Sequence, residues 1–193
     1  TKLTLGLVEG KLKEHGLYGK ANLNVVSHRK TVRMGCMAVE FIRVNHSIPD
    51  AVGMAVHTPA GIIVHTGDFK IDYSPINGEI IDLTRFGELG SKGVLALMAD
   101  STNAERPGYT QSERKVGESF EKLFTKAEGK RIIIATFSSN IHRIQQIVNC
   151  AEKYGRKVAV FGRSMINVIS TAIELGYLCL LYTSDAADDR ISV

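Results

Sequence analysis

His46 and Asp68 are the side chains whose neighbours in the sequence point most directly to chemistry. His46 lies in the string Val-Asn-His-Ser-Ile-Pro-Asp at residues 44–50, and Asp68 lies in His-Thr-Gly-Asp-Phe-Lys-Ile-Asp at residues 65–72. An imidazole and a carboxylate together form a donor set that suits zinc. We therefore interpret the two strings as half of a metal site.

The segment between these strings has the pattern of a β-hairpin, and the hairpin decides whether the two side chains can meet. Its parts are an alternating apolar strand, a turn and a return strand, at residues 52–56, 58–61 and 62–64. If the turn closes, Asp68 returns level with about Ala51. The carboxylate would then lie near the loop that carries His46, at one end of one sheet.

Two ligands do not complete a catalytic zinc site, which takes three protein ligands and an open position, and a two-metal site takes more. The sequence has no His-x-His or His-Glu pair. Its other histidines are isolated from one another: His15, His28, His57, His65 and His142. We expect the chain to lack the remaining ligands or to take them from elsewhere.

Composition describes an ordinary globular protein, with 44% hydrophobic and 23% charged residues in 193. No apolar run approaches the roughly 20 residues of a membrane span, and no signal peptide is recognised, so we predict a protein without membrane association. Three distant cysteines, Cys36, Cys150 and Cys179, favour a reducing compartment, and we predict the cytoplasm. A net charge of +4 is compatible with a polyanionic partner but decides little alone.

The first part of the chain is predicted to be rich in strands. Leu5, Val8 and Leu12 recur at helical spacing, and a helix is expected there. Four further segments carry bulky or β-branched residues and are predicted to be strands, the last of them buried: residues 23–26, 31–34, 37–44 and 94–98. Asp100 follows the last strand, so a third polar side chain is expected at a strand end.

After residues 104–112 the pattern changes to helices that alternate with strands. The helices are predicted over residues 112–126, 140–154 and 165–175, and the strands over residues 131–136 and 157–161. This alternation is typical of a parallel sheet in an α/β fold. We therefore place a domain boundary between residues 111 and 112, with the second domain running to residue 178.

Two loops of the second domain open helices with polar residues. They contain Ser138, Ser139 and Arg143 in one case, and Arg163 and Ser164 in the other. Free N–H groups at a helix start favour phosphate, but helix capping by Ser138, Ser139 and Ser164 explains the same residues. Both interpretations stay open, and capping is the simpler one.

Residues 179–193 break the pattern abruptly. The string Cys-Leu-Leu-Tyr-Thr-Ser-Asp-Ala-Ala-Asp-Asp at residues 179–189 looks like an in-frame translation of a sequencing-library adapter. We predict that this segment is an artefact and leave it out of the fold prediction.

Four strings in order carry a resemblance to a known family. They are the two strings described above, Asp-Ser-Thr-Asn-Ala-Glu-Arg-Pro-Gly-Tyr at residues 100–109, and Phe-Ser-Ser-Asn-Ile-His-Arg-Ile-Gln-Gln at residues 137–146. The sequence resembles the ribonuclease J family, metallo-β-lactamase nucleases with an inserted β-CASP domain. The resemblance implies a partial metallo-β-lactamase αββα sandwich over residues 1–111, followed by the start of a Rossmann-like β-CASP domain over residues 112–178.

The resemblance also implies roles for individual residues. His46 would be a zinc ligand, Asp68 would bridge two zinc ions, and Phe137, Ser138 and Ser139 would lie near the substrate. Phe137 could be a stacking platform for bases or a core residue. Two further candidates could support the metal ligands from outside: Ser47, which could instead cap a turn, and Asp100, which could instead form one.

The implied function is that of a zinc-dependent ribonuclease of RNA processing and decay, with 5′-to-3′ exonuclease and endonuclease activity on single-stranded RNA, and with homo-oligomers in the complete protein. The family's His-x-His-x-Asp-His motif is not in this sequence. We therefore expect an internal fragment that is inactive by itself. Two alternatives are a hydrolase of a small molecule with the same fold and a non-catalytic RNA-binding piece.

Overall fold

The computed structural model describes residues 1–76 and 79–179 and contains two compact units, Thr1–Ser112 and Glu113–Val193. Both units mix helices with extended segments, and the predicted α/β class is confirmed. The predicted artefact at residues 179–193 lies outside the described residues, apart from Cys179. No helix in the described ranges is long and apolar enough to cross a membrane.

The first unit is built on one five-stranded sheet whose strands lie in chain order, β1 to β5. The first four strands are antiparallel and β5 is parallel to β4. The elements in chain order are α1 Lys2–Glu14, a 3-10 turn Tyr18–Lys20, β1 Thr31–Met34, β2 Met37–Arg43, β3 Val52–Thr58, β4 Gly61–His65, α2 Leu83–Lys92 and β5 Ala96–Met98.

The predicted hairpin is confirmed as β3 and β4. Met54 pairs with His65 at one end and Thr58 pairs with Gly61 at the other, and this register, if continued, places Asp68 opposite Ala51. Thr58 closes the turn. Its hydroxyl accepts the backbone N–H groups of Ala60 and Gly61, both at 3.2 Å, and donates to the Gly61 carbonyl at 2.9 Å. A short side-chain hydroxyl at the start of a tight turn commonly has this role.

One face of the sheet packs against α2, a helix that the sequence analysis did not predict. The buried residues of this core are Ile42, Ala55, Val64 and Leu89. Asp82 begins the helix, because its carboxylate accepts the Arg85 N–H at 3.1 Å. The Arg85 guanidinium also donates twice to Glu40 of β2, at 2.6 and 2.9 Å, so helix and sheet are joined by a bidentate ion pair.

Two strand predictions for this unit are wrong in part. Residues 23–26 belong to no helix and to no strand of the described sheet. The strand predicted over residues 94–98 is shorter and is not buried, since Leu95, Leu97 and Met98 are all exposed. β5 lies at the edge of the sheet, and the described residues place no second layer over these side chains, so an apolar run did not imply burial here.

The second unit contains three helices, α3 Glu113–Lys126, α4 Ile141–Lys153 and α5 Arg163–Glu174, close to their predicted bounds. One core cluster of this unit consists of Phe120, Phe124, Cys150 and Ala151, from α3 and α4. The helix α5 adds the buried residues Val168, Ile169 and Ala172.

The predicted strands at residues 131–136 and 157–161 do not form a parallel sheet in the described part of this unit. The first segment is extended, and its side chains do alternate, because Ile132 and Ile134 contact the core while Ile133 is 88% exposed. The predicted alternation of side chains, with a period of two residues, is therefore confirmed. A sheet also needs a neighbouring backbone at hydrogen-bond distance, and that partner is not encoded in the local pattern.

Gly53 of β3 allows the backbone after β4 to approach unusually closely. A Cβ atom at residue 53 would lie 2.8 Å from the Thr66 carbonyl oxygen and 3.1 Å from that of His65. Both obstacles are backbone atoms of the paired strand end, so they cannot move aside as a flexible side chain could. The absence of a side chain at residue 53 is thus required by the position of residues 65 and 66.

We predict that Gly53→Ala destabilises the first unit by about 1–3 kcal/mol, the usual range for a forced overlap. The matched control is Gly87→Ala in α2, where a Cβ atom meets nothing within 4 Å. That change should stabilise the helix by roughly 0.5–1 kcal/mol. Urea unfolding followed by circular dichroism measures both variants. Equal stabilities of Gly53→Ala and the unchanged chain would contradict the close approach.

Candidate functional site

His46 and Asp68 lie side by side. The Nε2 atom of His46 is 4.0 Å from the Oδ2 atom of Asp68. His46 follows β2 and Asp68 follows β4, so the two side chains come from loops at the same end of the sheet. The Asp68 side chain is 77% exposed, so its carboxylate is open to a ligand from solvent. The hairpin therefore brings together the pair that the sequence analysis selected.

Asn45 holds the loop that carries His46. Its carbonyl accepts the Lys70 N–H at 2.8 Å, and the two residues form an antiparallel bridge between the two loops. The Asn45 side chain donates to the Glu79 carbonyl and accepts the Ile81 N–H, both at 2.7 Å. Sequence analysis missed Asn45, because the two partners of its side chain, Glu79 and Ile81, lie more than thirty positions away.

Ser47 lies next to the Nδ1 nitrogen of the His46 ring, and its Oγ atom is 3.4 Å from that nitrogen. A histidine that directs one ring nitrogen at a hydroxyl presents the other to a metal. In this arrangement Nε2, the atom that faces Asp68, is the free ligand position. The supporting role considered for Ser47 stays a prediction.

A turn at residues 66–69, called here the Asp68 turn, carries the carboxylate. The His65 Nδ1 atom accepts the Gly67 N–H at 3.0 Å, a role that the sequence analysis did not foresee for this histidine. Gly67 has a φ of 62°, the left-handed region, and a Cβ atom there would lie 3.0 Å from the Val52 carbonyl oxygen. Only glycine meets both conditions without strain.

Asp100, at the end of β5, is linked to the Asp68 turn and lies near His46. Its Oδ1 atom accepts the Thr102 hydroxyl at 2.6 Å and the Thr102 N–H at 3.0 Å. These bonds, with a further one from the Phe69 N–H, lower the pKa of Asp100, and the charge of His46 acts in the same direction. The structure thus places Asp100 in a turn and near His46, and its supporting role for a metal ligand stays a prediction.

The His46–Asp68 pair fits zinc as part of a ligand set. Tetrahedral zinc, with bonds of about 2.0–2.2 Å, places two ligand atoms roughly 3.4 Å apart. A small movement of the exposed Asp68 side chain from the 4.0 Å separation would therefore bring both atoms to one ion. Within residues 1–76 and 79–179, however, no group of three His, Cys, Asp or Glu side chains is gathered that could hold a metal ion. The described residues therefore supply two ligands and no third.

The predicted substrate loop lies in the second unit, before α4. Phe137 is 81% exposed, so it is not a core residue. Asn140 caps α4 by accepting the Arg143 N–H at 3.1 Å. The Ser138 hydroxyl lies 3.0 Å from that of Ser164, in the first turn of α5, so the two helix-opening loops touch.

Ser139 and Arg143 have local structural contacts in the same loop. The Ser139 carbonyl accepts the Ile141 N–H at 2.9 Å. Arg143 makes a bidentate pair with Glu113 at 2.8 and 3.1 Å. The arginine thus joins α4 to α3, and its position does not depend on a phosphate.

Thr102→Val removes the hydroxyl that contributes most to the lowered pKa of Asp100, and we expect that pKa to rise. A carboxyl with a lowered pKa stabilises the fold above its ordinary pKa, and this contribution is lost as pH falls through the lowered value. The variant should therefore lose stability at a higher pH during acidification.

Carboxyl carbon NMR shifts of Asp100 against pH measure the effect directly. The control is Thr171→Val, which removes an exposed hydroxyl bonded within α5 to the Asn167 carbonyl. An Asp100 titration that is the same in all three proteins would refute the assigned hydrogen bonds.

Comparison with known proteins shows what this sequence is similar to. The family model described as "Ribonuclease J, beta-CASP domain" matches residues 129–190, which extends into the segment predicted to be an artefact. Ribonuclease J of Synechocystis sp. is 50% identical over 92% of this chain and 28% of that protein. Ribonuclease J of Thermus thermophilus is 47% identical over 97% of this chain and 34% of that protein. Ribonuclease J2 of Bacillus subtilis is 45% identical, with 33% of its length covered.

A crystal structure of a protein of unknown function from Enterococcus faecalis has a similar fold, with a TM-score of 0.64 at 18% identity, over 90% of this chain and 42% of that one. At this identity the likeness concerns the fold alone. The chain spans about a third of the length of the curated relatives it matches. Their identity to nearly all of this sequence, together with the β-CASP match, shows that the chain belongs to the ribonuclease J family.

Proposed function

We propose that this chain contributes to a zinc-dependent ribonuclease that hydrolyses phosphodiester bonds of single-stranded RNA. The observation that carries the proposal is the 4.0 Å separation of His46 Nε2 and Asp68 Oδ2 at adjoining strand ends. Relatives named Ribonuclease J, 50% and 47% identical, support the choice of RNA over a small-molecule substrate. Both 5′-to-3′ exonuclease and endonuclease activity in the cytoplasm belong to the proposal, on the basis of the family resemblance.

His46 would bind zinc through Nε2, with Nδ1 turned to Ser47. Asp68 offers two carboxylate oxygens, which is the requirement for bridging two ions. Bound zinc lowers the pKa of a water molecule and neutralises the charge that develops on a phosphodiester. The contribution of this chain is to hold the imidazole and the carboxylate at the same sheet end, through the Asn45–Lys70 bridge and the Asp68 turn.

Phe137 would hold the substrate by stacking against a base, since its ring is exposed at the start of a polar loop. The hydroxyls of Ser138 and Ser139 would donate to the phosphate backbone. Such contacts accept any sequence, because every base has a π-face and every phosphate has free oxygens. We accordingly propose single-stranded RNA without a strong sequence preference as the substrate class.

We predict that Thermus thermophilus ribonuclease J, with its homologous segment replaced by residues 1–178 of this chain, binds zinc and that His46→Ala and Asp68→Asn each weaken binding at least about tenfold, because each removes a direct ligand. Isothermal titration calorimetry of this chimera measures the affinity, since the two candidate ligands of the described residues do not complete a site by themselves. The control is His15→Ala, which changes an exposed histidine at the end of α1. Equal affinities of the three variants would refute the assigned ligands.

Cleavage is tested in Thermus thermophilus ribonuclease J with its homologous segment replaced by residues 1–178 of this chain. Changing His46→Ala and Asp68→Asn together should lower RNA cleavage by at least about 100-fold. Undiminished cleavage would defeat the metal assignment. A chimera that does not cleave RNA but hydrolyses a small ester would support the small-molecule alternative instead.

We predict that Phe137→Ala weakens binding of fluorescent oligouridine roughly tenfold, the usual effect of losing one stacked base. Fluorescence anisotropy with the whole chain measures the affinity. Ile133→Ala is the matched control, because it removes an equally exposed apolar side chain of the same segment that has no π-face. If both variants bind as the unchanged chain does, Phe137 is not a stacking platform.

A further inference from the structure

Thr66 is a buried polar residue between β4 and the metal ligand candidate Asp68, and the sequence analysis did not select it. Its side chain and backbone are only 8% exposed. Its N–H donates to the Met98 carbonyl at 3.0 Å, which extends the pairing of β4 with β5 by one bond. Its hydroxyl accepts the Asp100 N–H at 3.0 Å and donates to the Gly67 carbonyl at 2.7 Å. One hydroxyl group therefore joins two strand ends.

The contacts of Thr66 continue to the residue directly before Asp68. The Thr66 hydroxyl donates to the Gly67 carbonyl, and the Gly67 N–H donates to the His65 ring. The same Thr66 hydroxyl accepts the N–H of Asp100, at the end of β5. The circuit from Asp100 through Thr66 to Gly67 therefore fixes both polar backbone groups of the residue that precedes the carboxylate.

The backbone of Thr66 has little freedom to move. Its carbonyl lies against Gly53, where even a Cβ atom would be 2.8 Å away. The next residue, Gly67, is in the left-handed region and is held by the His65 ring. A hydroxyl on such a constrained backbone has a defined direction, which is what a supporting group for a metal ligand needs.

We infer that Thr66 is a positioning residue for Asp68: its hydroxyl ties the Gly67 carbonyl to the Asp100 backbone and so holds the Asp68 turn in the conformation that brings the carboxylate to His46. The inference rests on the proposed function insofar as Asp68 is a metal ligand. Thr66 does not touch the metal or the substrate, and it acts through Asp100 and Gly67.

The same hairpin offers a matched control for a merely structural effect. Thr58 closes the opposite end of β3 and β4 with a hydroxyl that also bonds to backbone groups of its turn. Thr58→Val and Thr66→Val each remove one such hydroxyl with little change of shape. Only Thr66→Val breaks the circuit from Asp100 to Gly67, whereas Thr66→Ser retains the hydroxyl.

The first measurement is amide hydrogen exchange by NMR on the metal-free chain. In Thr66→Val the Gly67 amide should exchange roughly two- to tenfold faster, the effect of losing one hydrogen bond. The bond from the Gly67 amide to the His65 ring is not itself removed, so faster exchange reports the indirect action. Thr66→Ser should restore slow exchange, and Thr58→Val should leave Gly67 unchanged. Equal Gly67 exchange in Thr66→Val and Thr58→Val would overturn the inference.

The second measurement is zinc affinity by calorimetry of the Thermus thermophilus chimera. Thr66→Val should bind zinc roughly tenfold more weakly, Thr66→Ser and Thr58→Val should bind as the unchanged chimera does, and an unweakened Thr66→Val would overturn the inference. If the unchanged chimera binds no zinc, the proposed metal site fails, and the Gly67 exchange alone then decides whether Thr66 positions the Asp68 turn.

Discussion

The register of the β3–β4 hairpin is the constraint on which the candidate site depends. A shift by one residue would turn every side chain of β4 to the opposite face and would move Asp68 away from His46. Two features resist such a shift: the hydroxyl of Thr58, which closes the turn, and the side-chain-free Gly53, against which the Thr66 carbonyl lies. The position of Asp68 is therefore fixed, because the register of the hairpin is held at both ends.

The His46 loop has its own support, from the segment that leads into α2. Asn45 bonds to Glu79 and Ile81, and the Asp82 N–H donates to the Arg43 carbonyl at the end of β2. The ion pair of Glu40 with Arg85 fixes α2 on the same strand, and the Arg85 guanidinium lowers the pKa of the Glu40 carboxyl. Because this carboxylate is nearly buried, removing its partner would leave an uncompensated charge. The helix thus helps to hold the loop that carries His46.

The two ligand loops are then joined to each other, through the Asn45–Lys70 bridge, and to β5, through Thr66 and Asp100. Three loops at one sheet end form a single hydrogen-bonded unit. In a metalloenzyme such a unit gives up less conformational entropy when metal binds, since the ligands are already in place. The second unit is organised differently: α3 and α4 pack around Phe120 and Phe124, while Phe137 remains exposed.

Much of the fold and of the candidate site could be predicted from the sequence, because hairpins and amphipathic helices depend on residues that lie close together along the chain. Residue types and spacing determined the β3–β4 hairpin, its register to Ala51, the helices of the second unit and the choice of His46 and Asp68. Tertiary structure alone decided what depends on distant partners. It turned residues 131–136 into an extended segment without a described ladder partner, exposed β5, and gave Thr66 and Asn45 their roles. A hydrogen bond across more than thirty positions leaves no periodic trace in the sequence, so its donor and acceptor emerge only when the chain is folded.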